Sequence, residues 1–141
     1  MGGAMPYKIT VIEDNEPDIF LLEDVLEQNG LNCTLTSVAD GLDARNHFSS
    51  IATPAEAPDL ILLDLNLPKV SGTELLEFIR GREPLAQVPI VVWSSARSER
   101  EQKALDQFRI TRFIVKPTSY QAFLKIGPDL REILEGAQPR G

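Results

Sequence analysis

Cysteine is nearly absent from the 141 residues: Cys33 is the only one. No intrachain disulfide can form, and the composition fits a reducing compartment. Long apolar stretches are missing too, and none approaches the roughly 20 residues of a membrane helix. No run of basic residues exists, and 21 acids against 14 bases give a net charge of −7. Direct binding to nucleic-acid phosphates is therefore not expected. The start, Met1-Gly2-Gly3-Ala4-Met5-Pro6, lacks the basic and apolar regions of a signal peptide. Pro6 stands where a myristoylation signal wants Ser or Thr. Asn32-Cys33-Thr34 matches a glycosylation acceptor, which matters only in a secreted protein. The expected location is the cytoplasm.

What is present suggests one domain. A chain of this length buries roughly 68% of its unfolded surface and needs no disulfide or metal to fold. Residues 1–6 are expected to be a disordered segment or cloning scar, 7–135 the domain, and 136–141 a C-terminal tail. No linker to a second domain is seen, and no output domain is expected after Gly136.

Strands and helices alternate along that domain. Tyr7 to Ile12 is a short β-rich run, and Glu16-Pro17 opens a helix with proline tolerated at its start. Ile19, Leu22, Val25 and Leu26 share a helical face that ends at Asn29-Gly30. Asn32 to Val38 predicts a second strand, and Leu42 to Ser50 a second helix carrying His47, the only histidine. His47 lies far from the strand ends and is read as a surface or packing residue. Ala52 to Pro58, with two prolines, predicts a surface loop. Leu60 to Leu63 is the third strand. Ser71 caps a helix, with Glu74 placed to complete a capping box. Ile90 to Trp93 is the fourth strand, roughly Ser98 to Gln107 a charged helix, and Arg112 to Val115 the fifth strand. The last helix starts near Ser119. It is expected either to kink at Pro128 or to consist of two shorter helices. Five such repeats predict an α/β fold, a doubly wound five-stranded parallel sheet covered on both faces.

The informative residues stand where strands run out. Asp64 follows Leu60-Ile61-Leu62-Leu63, and an ionised carboxylate there is costly without a partner. Strand one ends in Glu13-Asp14, strand four in Ser94-Ser95, and strand five in Lys116-Pro117. A parallel sheet sets all of these on one edge, where open α/β sheets bind ligands. Clustered carboxylates repel, and a divalent cation removes that penalty. Hard oxygen ligands with open positions suit Mg²⁺, which also takes phosphate oxygens. Lys116 offers a compact positive charge and Ser94 a hydroxyl donor. The inventory suits phosphoryl transfer to a carboxylate nucleophile.

With Glu13-Asp14, Asp64-Leu65-Asn66-Leu67-Pro68, Gly72, Ser94 and Lys116-Pro117 in this order, the chain resembles the receiver domain of the two-component response regulator family. The likeness runs from Tyr7 to about Glu135, and the intervals from Asp64 to Ser94 to Lys116 match the family's register. It implies a flavodoxin-like sheet of order 2-1-3-4-5 and a phosphoacceptor, Asp64, fed by a phosphohistidine on a sensor histidine kinase. Asp14 is implied to bind Mg²⁺ (Mn²⁺ in its place) directly, with Glu13 binding directly or through water. Asp64 and the backbone carbonyl of Asn66 join them. Ser94 is implied to hydrogen-bond the phosphoryl group, Lys116 to pair with it, and the Lys116–Pro117 peptide bond to be cis. Ser94 and Phe113 are the implied switch pair. The implied assembly is a two-fold homodimer through the charged helix, the fifth strand and the last helix. That face carries Arg97, Glu99, Arg100, Lys103, Asp106, Arg112 and Tyr120, most of which read as a solvated charged surface.

Departures from the family pattern are few. Glu13 replaces a more frequent Asp, Ser94 a more frequent Thr, and Ser95 a small apolar residue. Trp93 is large for its place and reads first as a core aromatic. Ala96 leaves room for a hydrolytic water. The longer loop before strand three, the Leu-Asp-Leu-Asn-Leu-Pro segment and the charged fourth helix most resemble stand-alone receivers linked to bacterial phytochromes. The expectation is a signalling domain, not an enzyme, although it assists its own phosphorylation and dephosphorylation. A binding module independent of phosphorylation is one alternative. An Asp-nucleophile phosphatase is another, disfavoured because Asn66 stands where the leaving-group acid is needed.

Overall fold

The computed structural model describes residues 6–65, 67, 70–94, 103 and 106–136. Five strands, β1 (Tyr7–Ile12), β2 (Cys33–Val38), β3 (Leu60–Asp64), β4 (Ile90–Ser94) and β5 (Arg112–Val115), form one sheet of order β2-β1-β3-β4-β5. Every neighbouring pair is parallel. Among the described residues the α-helices outside it are α1 (Glu16–Gln28), α2 (Gly41–Ser49), α3 (Gly72–Arg80), α4 (Tyr120–Leu124) and α5 (Ile126–Gly136).

The central strands are buried throughout, so they read as continuous apolar runs. Their side chains alternate between two cores. Ile12, Ile61, Leu63, Ile90 and Val92 meet Phe48, Leu75, Leu76 and Ile79 from α2 and α3. Ile9, Val11, Leu62, Val91 and Trp93 meet Leu22, Val25, Phe123 and Leu130 from α1, α4 and α5. A strand's two-residue period explains the division.

Local signals set the helix ends. Asn15 Oδ1 accepts from Asp18 N–H at 3.0 Å, capping α1. Gly30, at φ +69°, reverses the chain after it. Ser71 Oγ accepts from Glu74 N–H at 3.1 Å at the start of α3. Gly72 is needed beside it, because a Cβ there would lie 3.0 Å from Leu65 Cα. This close approach brings the start of α3 onto the segment that follows Asp64.

Three expectations change. The last helical segment is two shorter helices, one of the two forms expected, and what changes is the break, which falls at Lys125 rather than at Pro128. Pro128 sits in the first turn of α5, where its missing N–H has no intrahelical partner to lose. The stretch from Ala52 to Pro58 is not wholly a surface loop. It contains a short 3₁₀ turn over Pro54–Glu56, and Ala57 is fully buried in the α2/α3 core. Arg112 does more than face solvent, since its guanidinium pairs with Asp129 of α5 at 3.0 Å. The helix expected at 98–107 lies mostly outside the described residues, as do Arg97, Glu99 and Arg100.

Candidate phosphoryl-transfer site

Sheet register carries the site residues to one edge. Glu13 directly follows β1, Asp64 ends β3, Ser94 ends β4, and Lys116 directly follows β5. Asp64 pairs in register with Trp93, so both side chains leave the sheet on the α1 face. Glu13 and Asp64 are buried, and Asp14 is exposed. Carboxylate oxygens of Glu13, Asp14 and Asp64 all lie within 4.8 Å of one another. The three candidate acids have therefore come together from two strands.

Lys116 closes the cluster. Its Nζ lies 2.6 Å from Glu13 Oε1, 2.9 Å from Asp18 Oδ2 and 3.1 Å from Asp64 Oδ2. At the other end of the residue, Lys116 N–H donates to Ser94 O at 2.8 Å. Burial pushes the ammonium toward its neutral form, but the hydrogen bonds it donates to Glu13, Asp18 and Asp64 outweigh it and hold its pKa above the ordinary lysine value. Burial acts in the same sense on Glu13. It raises that carboxyl to about 7, against the pull of Lys116 and of the Asn15 N–H that donates to Glu13 Oε2 at 3.0 Å.

A buried carboxylate pushed toward protonation beside two further acids is a place where a divalent cation is electrostatically welcome. The donors are all hard oxygens, so the set fits Mg²⁺ or Mn²⁺. Asn66, whose carbonyl is expected to join them, lies outside the described residues. Ser94 is buried at the same edge. Phe113, half-buried, packs on the α2/α3 core and sits in register with Val92.

The expected cis bond before Pro117 is not observed; the peptide is trans. Trans is the lower-energy form even before proline. With the Lys116 backbone held by Ser94, its side chain reaches Glu13, Asp18 and Asp64 without the isomer change.

Trp93 is the core residue anticipated, fully buried and edge-on to Phe123 with ring centroids 5.9 Å apart. It also touches the site, because Lys116 Nζ lies 5.1 Å from its ring centroid. His47 is half-buried, packs edge-on against Phe48 and stands on α2, away from the strand ends. Asp18 is the site residue that sequence reasoning passes over. An acid in the first turn of a helix already has a sufficient reason in the helix dipole. The available signal was its position on the turn that follows Glu13-Asp14.

Comparison with known proteins agrees with this geometry. Residues 9–126 match the model of the response regulator receiver domain. The polar-differentiation response regulator DivK of Brucella ovis is 30% identical over 123 residues, 86% of this chain and 93% of that protein. The phosphorylated cyanobacterial phytochrome response regulator RcpA superposes with a TM-score of 0.82 at 30% identity, covering 96% of this chain and 98% of that one. The Mn²⁺-bound form of response regulator Rcp1 gives 0.82 at 27% identity, covering 96% and 100%. The bacteriophytochrome response regulator AtBRR gives 0.72 at 27%, covering 98% and 99%. The sheet order, the acid cluster and these likenesses agree: this chain belongs to the response regulator receiver domain family.

Proposed function

We propose that this protein is a phosphoacceptor in two-component signalling, taking a phosphoryl group from a sensor kinase phosphohistidine onto Asp64. The observation that carries the reading is the single edge at which Lys116 Nζ lies 3.1 Å from Asp64, beside the Glu13, Asp14 and Asp64 oxygens. A carboxylate oxygen of Asp64 attacks phosphorus as the P–N bond of the donor breaks. The bonding pair leaves with the imidazole, and an acyl phosphate remains. Glu13, Asp14 and Asp64, with the Asn66 carbonyl, are the residues to hold Mg²⁺. When bound, the ion supplies positive charge that lets an anionic phosphoryl group approach an anionic acceptor. Lys116 neutralises a phosphoryl oxygen, and the Ser94 hydroxyl donates to another.

The output we infer is a protein contact rather than a reaction. A phosphoryl group adds about −1.5 to −2 charge, enough to bias a two-state surface through Ser94 and Phe113. Val115 on β5 and Tyr120, five residues later at the start of α4, are large hydrophobic residues left exposed, 47% and 48%. They favour the β5 face as the contact, and a second copy of the chain is the partner we assign to it. The likeness to phytochrome response regulators favours a photoreceptor kinase as the donor. Among the described residues no helix is long and apolar enough to cross a membrane. A cytoplasmic site of action accords with this and with the single cysteine.

The test uses phosphoramidate, a small donor with a P–N bond, together with Mg²⁺. Trp93 emission is expected to change in the parent and not in Asp64→Asn. Equal responses in both would assign the protein to the phosphorylation-independent binding modules instead.

A further inference from the structure

We propose that Asp18 is a positioning residue for Lys116, forming with the face of Trp93 a cradle that the transfer chemistry leaves intact. The proposal rests on the phosphoacceptor reading above. Asp18 Oδ2 accepts from Lys116 Nζ at 2.9 Å across 98 residues of chain. Its own backbone N–H is already taken by the Asn15 cap, and its half-buried side chain points to the site. Asp18 does not belong to the group of acids whose oxygens converge within 4.8 Å, so it touches the ammonium and not the metal cluster.

Three carboxylates hold the ammonium, but only one of them is free of other work. Glu13 is needed for the cation, and Asp64 is the group that reacts. Once both are engaged, Asp18 and the Trp93 ring, 5.1 Å from Nζ, are the supports that remain. An ammonium has three donors. One stays on Asp18, and those released by Glu13 and Asp64 turn to the phosphoryl oxygens. A lysine head held this way is oriented before the transition state forms, which lowers the cost of positioning it then. The alternative role, a competitor that draws Lys116 away from the phosphoryl group, has the opposite sign.

Beryllofluoride, which mimics a phosphoryl group on a carboxylate, separates the two. The full-length parent and Asp18→Asn are titrated with Mg²⁺ alone and with beryllofluoride in saturating Mg²⁺, following Trp93 emission and bound fluoride by ¹⁹F NMR. Beryllofluoride affinity is expected to fall about tenfold in the variant, the scale of one lost charge-assisted hydrogen bond. Mg²⁺ affinity is expected to change by less than about threefold, because Asp18 is not among the acids whose oxygens converge on the cation site and its charge is paired with Lys116. Asp18→Ser should behave in the same way. Unchanged or tighter beryllofluoride binding overturns the proposal, as does an equal loss for both ligands. A parent that binds no beryllofluoride removes the phosphoacceptor reading itself. A parent that binds it as well as Asp18→Asn does removes only the role of Asp18.

Discussion

Lys116 Nζ and Glu13 Oε1 lie 2.6 Å apart, and the glutamate of the pair is buried. The ammonium occupies the charge role that a divalent cation has to take over. The carboxylates are thus already neutralised in part, and on the proposed reading a divalent cation would exchange with Lys116 at Glu13.

Glu13 makes that exchange pH-dependent. Burial lifts its carboxyl from 4.5 to about 7, so between these values the folded protein holds a proton that the unfolded chain has released. The contribution of Glu13 to metal-free stability therefore declines as pH rises from about 4.5 to about 7 and is level above. Metal needs the ionised carboxylate, so Mg²⁺ affinity is expected to climb as pH rises to about 7 and to level off above it, with a proton released on binding below that value. Calorimetric titrations at pH 6 and 8 check this, and Glu13→Gln should flatten the dependence.

Removing Lys116 leaves Glu13, Asp18 and Asp64 without their shared cation. Lys116→Ala is expected to lower metal-free stability by about 3 kcal/mol, as when one member of a buried ion pair is deleted. Mg²⁺ should then stabilise the variant more than it stabilises the parent. Thermal unfolding with and without Mg²⁺ gives both numbers. Equal gains would contradict the partner exchange.

Trp93 keeps its indole N–H buried without an acceptor among the described residues. Trp93→Phe retains most of the apolar body and removes that donor. Its stability is expected to stay within about 1 kcal/mol of the parent, the loss of volume offset by relief of an unsatisfied group. Urea unfolding followed by circular dichroism measures it.

Arg80 illustrates a different kind of support. It donates to the carbonyls of Phe108, Leu85, Ala86, Val88 and Arg109 at 2.8–3.1 Å. It thereby ties the end of α3 to the turns that precede β4 and β5. Arg80→Met should cost about 3 kcal/mol in urea unfolding, because several carbonyls lose their donor together. Arg80→Lys should recover little, since a single ammonium cannot span a fork's worth of acceptors.

Much of this was legible in the residues. Buried parallel strands are apolar runs, so Leu60 to Leu63 announces β3, and the charge that ends it announces the site. The convergence of Glu13, Asp14, Asp64 and Lys116 follows from strand ends alone, given a parallel sheet. What escaped depends on contacts distant in sequence. Asp18 looks like an ordinary first-turn acid until Lys116 arrives from across the sheet. Trp93 reads as core, and is core, yet its register with Asp64 also puts its face beneath the ammonium. The break at Lys125 was hidden because Phe123, Ile126 and Leu130 keep facing the same core on both sides of it. A trans bond at Pro117 was missed because the likeness of sequence carries an isomer preference that Lys116 does not need here.

The central claim is that Asp64 accepts a phosphoryl group in a cation-dependent step. Intact-mass spectrometry after incubation with acetyl phosphate and Mg²⁺ tests it most directly. The account predicts the addition of a single phosphoryl group to the parent, lost on mild base treatment as an acyl phosphate should be. It predicts none in Asp64→Asn or when the cation is chelated. An unmodified parent, or equal modification of Asp64→Asn, would contradict it.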